Sequence, residues 1–150
     1  NSLKLISGDN QITLTPYNGL TATVEIGSKS PAEIAFGMGA GFQPSVKIRG
    51  VNKDLGTISS VTPYVFLEYP ISIGKVLNPS FLVRFGYGFF STSGELDRKK
   101  PGVYHAIGVA LPIYKGIQAR VLFSNQYGDL KIGQDEYYMN FSSLNLGLLF

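Results

Sequence analysis

The chain has 150 residues, which suits a single domain spanning residues 1–150, and its formal net charge at pH 7 is only +3. Charged residues make up 15% of the sequence, well below the roughly 25% of an average soluble protein. The absence of cysteine excludes disulfides and thiolate metal sites, and no apolar run approaches the ~18 residues of a membrane-spanning helix. No basic face with stacking aromatic residues is recognisable, so nucleic-acid binding is not expected.

The first half of the chain alternates between apolar and small or polar residues with a period of two, which indicates β-strands. A first strand is predicted at residues 12–15, and residues 1–9 are an extension of it, a short extra strand or a tail. The second and third strands are predicted at residues 20–27 and 34–42, and the third contains the run GMGAGF. Because these glycines alternate strictly and no helix pattern follows, the run does not match a phosphate-binding loop.

The second half continues the alternation and brings the number of predicted strands to eight, with no helix pattern of ten or more residues. These strands are predicted at residues 61–71, 81–90, 103–113, 117–124 and 143–150. The connections fall into two alternating sets: short ones at residues 29–31, 75–79 and 114–116, and longer, more charged ones at residues 49–59, 93–102 and 126–136.

The residues that alternate with the bulky apolar side chains are unusually small. They include Gly37, Gly39, Gly41, Gly86, Gly88, Gly108, Ala106 and Ala110. Glycine weakens a strand and needs a steric reason, which the narrow interior of a barrel of about eight strands supplies. The sequence therefore predicts an all-β fold, a closed antiparallel eight-stranded up-and-down barrel with apolar residues outside and small or polar residues inside. This is the pattern of a transmembrane β-barrel.

The C-terminal run LNLGLLF places an apolar residue at every second position: Leu144, Leu146, Leu148 and Phe150. With the eight strands and the alternating connections, this run resembles the small eight-stranded outer-membrane proteins of Gram-negative bacteria, among them the OmpA transmembrane domain, OmpW and the opacity proteins. The resemblance covers about residues 10–150, and the chain departs from it in lacking Trp and in its rather short external loops.

The resemblance implies a monomeric integral protein of the bacterial outer membrane. It also implies that the alternating C-terminal residues are a signal for the barrel assembly machinery. We expect a non-enzymatic structural or surface protein that tethers envelope components. The alternatives are a narrow porin-like channel or conduit for small apolar ligands, and a lipid-modifying hydrolase. Outer-membrane lipids are the expected partners, and basic loop residues could contact lipopolysaccharide phosphates: Lys47, Arg49, Lys53, Arg98, Lys99 and Lys100.

Five charged residues share the inward parity near the short connections: Glu25, Glu33, Glu68, Arg84 and Arg120. Because unpaired charges inside a narrow barrel would be costly to desolvate, we predict one cluster in which the two arginines satisfy the three carboxylates. Lys4, a water or a proton would offset the remaining negative charge. Such a cluster would plug the lower lumen and argues against an open pore.

Residues that could support catalysis or metal binding are few. His105 is the only imidazole, and it is predicted on the outward parity opposite Asn125, where Ser91 or Ser93 could approach from the other neighbouring strand. The segment ARVLFSN faintly resembles the lipid A deacylase strand that carries a His-x-Ser pair, but Leu122 stands where the histidine should be. We assign no catalytic residue, no metal and no cofactor, and we expect the carboxylates of Asp129, Asp135 and Glu136 to be solvated in a loop.

Overall fold

The computed structural model describes residues 2–7, 10–14, 21–49, 54–71, 78–94, 96–97, 100–114 and 117–149. They form ten β-strands: β1 Ser2–Ser7, β2 Asn10–Leu14, β3 Ala22–Lys29, β4 Ala35–Arg49, β5 Asp54–Pro70, β6 Ser80–Gly94, β7 Leu96–Asp97, β8 Gly102–Tyr114, β9 Ile117–Ile132 and β10 Asp135–Leu149. In this part of the chain there is no helix long and apolar enough to cross a membrane.

All ten strands belong to one antiparallel sheet. Its order is β2-β1-β10-β9-β8-β6-β5-β4-β3, with the short β7 paired to β9. The long strands pair with their neighbours along the chain, so the sheet is an up-and-down meander. The pairing of β1 with β10 joins the two ends of the chain, and the strands left at the ends of the order, β2 and β3, follow each other in sequence.

The two ends of the sheet carry different connections. We call the end with the β3–β4 turn the lower end, and the end with the β9–β10 turn the upper end. β1 pairs only with the upper part of β10, from Ser2 opposite Ser142 to Ile6 opposite Tyr138. β3 pairs only with the lower part of β4, from Ala22 opposite Phe42 to Lys29 opposite Ala35.

The structure contains a strand at each of the eight predicted places. Residues 2–7 form the short extra strand that was one of the alternatives for this segment, and β7 was not predicted. The predicted long loops are wrong in extent, because β4, β5, β9 and β10 all continue into them. β9 and β10 are joined only by Gly133 and Gln134, where Gly133 has a φ of 64° and allows a tight turn.

Alternation of exposure along the strands places the bulky apolar residues of the lower and middle sheet on its outer face, as the sequence predicted. Val65, Phe85 and Leu146 are 59%, 54% and 76% exposed. The inner face buries two apolar clusters. The upper cluster consists of Leu5, Ile48, Ile58, Leu96, Leu130, Met139 and Phe141. The lower cluster consists of Tyr64, Phe66, Leu82, Ala106 and Leu122.

Candidate functional site

Four charged side chains meet on the inner face of the sheet. Arg84 and Arg120 each bind Glu25 with an N–O distance of 2.5 Å, and Arg120 also binds Glu68 at 3.1 Å. All four side chains are at most 9% exposed. We call Glu25, Glu68, Arg84 and Arg120 the interior charge cluster.

The interior charge cluster shows how strongly the sheet curls. Glu25 lies on β3 and Arg120 on β9, and four strands (β4, β5, β6 and β8) separate these two in the sheet order. A direct ion pair between them requires the sheet to wrap around an interior. The cluster therefore cross-links strands that the backbone ladders do not join.

Uncharged polar groups complete the coordination of the carboxylates. Tyr64 donates its hydroxyl proton to Glu25 at 2.8 Å, and its ring lies 4.7 Å from the Arg84 guanidinium. Gln118 donates to Glu68 and accepts from Arg120, both at 3.3 Å. Sequence reasoning missed Tyr64 and Gln118, although both share the inward parity of their charged neighbours two or four residues away.

Glu33 is not part of the cluster, which corrects the prediction for this residue. It lies in the turn between β3 and β4 with a φ of 62°, and its side chain is exposed. Alternation fixes side-chain direction only within a strand, and Glu33 is beyond the end of β3. The cluster of two acids and two bases is balanced, so it needs no further cation, and Lys4 is exposed.

Close packing around the cluster explains part of the GMGAGF run. A Cβ added to Gly39 would lie 2.8 Å from the Tyr64 ring and 2.9 Å from Glu25 Cγ. A Cβ on Gly41 would have only ordinary contacts, the nearest at 3.8 Å. Gly39 is therefore required by the side chains that face it, whereas Gly41 borders open space.

That open space is a cavity of about 520 Å³ in the interior, above the charge cluster and below the upper apolar cluster. Its lining is mostly polar and includes Thr23, Gln43, Ser60, Thr62, Tyr64, Arg84, Tyr104, Arg120, Ser124, Gln126, Ser143 and Asn145. Gln126 donates to Thr62 across it at 3.2 Å. Cavities of roughly 300–1,000 Å³ are the usual size for small-molecule sites.

A second polar group lies on the outer face. His105, Asn125 and Ser142 are opposite one another on β8, β9 and β10. Ser142 donates to Asn125 Oδ1 at 2.6 Å, and Asn125 Nδ2 lies 3.4 Å from His105 Nε2. The amide therefore separates the serine from the imidazole, whereas nucleophile activation needs the hydroxyl within hydrogen-bond reach of the base.

The serines proposed to approach His105 from β6 do not lie there. Phe85 is the residue opposite His105, and the last pair of β6 with β8 is Gly88 with Gly102. Ser91 and Ser93 lie beyond that pair, and Ser93 bonds Thr57 at 2.7 Å.

The remaining predicted residues are placed as follows. Leu144, Leu146 and Leu148 of the assembly signal are exposed on β10, and Phe150 is outside the described residues. Lys47 and Lys100 are exposed, while the side chain of Arg49 and residues Lys53, Arg98 and Lys99 are outside the description. Asp129, Asp135 and Glu136 lie on strands rather than in a loop. In the described ranges no three His, Asp or Glu side chains are grouped to hold a metal ion.

Comparison with known proteins adds no name to this arrangement. No protein-family model matches the chain, and no curated protein is significantly similar to it. The resemblance to small outer-membrane barrels therefore rests on the residue pattern.

Proposed function

We propose that the chain is a closed eight-stranded β-barrel of the bacterial outer membrane, with a non-enzymatic structural or surface role. The observation that carries the proposal is an inversion of polarity along the strands. In the lower and middle sheet the outer face is apolar and the inner face polar. In the upper sheet the inner face is apolar and the outer face polar.

β9 presents this inversion in one strand. Its outer face changes upward from Val121 and Phe123 through Tyr127 to Asp129, which is exposed. Its inner face changes from the buried Arg120 to Leu130, which is 1% exposed. A strand that leaves hydrocarbon for water must exchange the polarity of its faces at the boundary.

Neighbouring strands place the boundary at matching positions. One row of opposed outer residues is apolar: Ile107, Phe123 and Leu144. The row above it contains His105, Asn125 and Ser142, and the rings of Tyr127 and Tyr138 stack above that at 6.0 Å. Higher still, Lys131 pairs with Glu136 at 2.7 Å. Apolar, amphipathic and charged rows in this order match the aromatic girdle and headgroup zone of a bilayer.

Closure of the sheet is part of the proposal. The two strands at the ends of the sheet order are consecutive in sequence, and Arg120 bonds Glu25 across the interior. We infer that β2 in the upper half and β3 in the lower half share one strand position, which gives eight positions in all. Lipid offers no partners to open strand edges, so a spanning sheet is expected to close.

The filled interior favours a structural role over an open pore. The upper apolar cluster and the interior charge cluster both occupy the axis that ions would have to follow. No specific contact favours the hydrolase, since Ser142 bonds Asn125 and not His105. Contact of exposed basic residues with anionic lipid remains part of the proposal.

Liposome flotation tests the membrane placement. Purified protein refolded with phospholipid should float with the vesicles and resist extraction by high salt or alkaline carbonate, and it should migrate faster on SDS gels before heating than after. Protein that stays monodisperse in plain buffer and sediments away from the vesicles would contradict the proposal, because an apolar surface of this extent drives association in water.

A further inference from the structure

The cavity is lined by both faces of β10. The inward residues Ser143 and Asn145 border it, and so do the outward residues Leu144, Leu146 and Leu148. An intact sheet would present only its inward parity to an interior cavity. The cavity therefore reaches the outer surface past the edge of β10.

The strand pairings locate this opening. β10 pairs with β1 only as far down as Ser142, and β3 pairs with β4 on one side. Among the described residues no strand pairs with the free edge of β10 from residue 143 to 149, or with the free edge of β3. Thr21 and Thr23, at the start of β3, border the same cavity. The opening thus lies in the wall between β3 and lower β10.

The chemistry changes sharply across this opening. Inside are hydroxyl and amide groups and the guanidinium groups of Arg84 and Arg120, whose Nε–H groups have no acceptor in the protein. Glu25 and Glu68 are not in the cavity lining, and they balance the arginine charges from the other side. Outside are Leu144, Leu146 and Leu148, at least 59% exposed.

We propose that the cavity binds the polar head of a single-chain amphiphile, which enters from the membrane between β3 and β10 and leaves its acyl chain against the three leucines. The proposal rests on the membrane placement proposed above. The head is uncharged and rich in hydroxyl or ester oxygens, because the lining offers many hydrogen-bond donors while the ionic charges are already balanced. A cavity of about 520 Å³ is large enough for a glycerol or sugar head.

Photocrosslinking in liposomes tests the orientation of the bound molecule. Two monoacylglycerol probes are compared, one with a diazirine on the glycerol head and one with a diazirine at the end of the acyl chain. The head probe should label inward residues such as Thr62 and Gln126, and the chain probe should label outward residues such as Leu146. Mass spectrometry of the labelled peptides assigns the positions.

A matched pair of variants tests whether the cavity is the site. Ser60→Phe fills the cavity from an inward position of β5, and Val61→Phe adds an aromatic ring to the outer face one residue away. Inward labelling by the head probe should be lost in the first variant and unchanged in the second. Unheated gel mobility establishes that each variant has folded.

The outcomes separate this inference from the proposal on which it rests. Wild-type protein that fails to float with liposomes contradicts the membrane placement itself. Wild-type protein that floats, but whose head-probe labels fall only on outward residues, overturns the cavity proposal. Persistent inward labelling in folded Ser60→Phe also overturns it. The wild-type map decides the question even if Ser60→Phe does not fold.

Discussion

Glu25 is the residue on which the interior charge cluster depends. Its carboxylate accepts from Tyr64, Arg84 and Arg120 and is 5% exposed on its side chain. Water could not replace a lost partner easily in such a place, so the ionic contacts are expected to be more important here than at the surface. The parity of the sequence was enough to predict four members of the cluster. It could not place Glu33, because that residue lies in a turn where alternation ends.

Replacing Arg84 by methionine should destabilise the protein by about 3–5 kcal/mol, since it leaves the cluster with an uncompensated buried charge. Lys131→Met is the control, because its ion pair with Glu136 is largely solvated and should be worth about 1 kcal/mol or less. Urea unfolding of both variants in the same lipid measures the difference. Equal losses would show that the charge cluster is as weak as the surface pair.

The strands extend further than the sequence analysis placed them, and the reason lies in the polarity of their upper ends. In β9 the alternation continues to Ile132, but the apolar residues change to the inner face and charged residues occupy the outer one. Charge and the dipeptides Tyr127-Gly128 and Gly133-Gln134 made residues 126–136 look like a loop. The eight central segments were predictable because there the outer face is uniformly apolar.

The proposed membrane placement predicts a cost for charge that depends on position along one strand. Val109 pairs with Phe81 and Val121 in the apolar band of β8, whereas Tyr114 is at the lower end of the same strand. Val109→Arg should cost about 2–4 kcal/mol and Tyr114→Arg about 0–1 kcal/mol. Reversible unfolding from liposomes measures both. Costs that do not differ would argue that β8 does not cross hydrocarbon.

Side chains fill the interior in three layers. The upper layer is apolar, the middle layer is the polar cavity and the lower layer is the charge cluster. The lower layer followed from inward parity. The upper layer could not be foreseen, because Ile58, Leu130 and Ile48 fall in or beside segments predicted as loops, and Leu96 belongs to a strand of two residues.

Two barriers in series should keep the barrel silent in a planar bilayer. The sequence suggested that removing Arg84 could raise conductance, on the view that the charge cluster alone closes the lumen. The structure adds a dry apolar constriction above it, where Leu5 and Met139 are 0% and Leu130 is 1% exposed. Dewetting of such a constriction is itself a barrier to ions. Arg84→Ala should therefore be as non-conducting as the wild type.

Single-channel recording at constant voltage measures this, with a general porin as the positive control in the same bilayer. Steady conductance steps from the wild type would contradict a filled interior and favour the channel alternative. Steps from Arg84→Ala alone would show that the apolar layer does not seal the upper end. Silence from both, in vesicles where flotation has established insertion, is the result expected if either layer alone is sufficient to close the barrel.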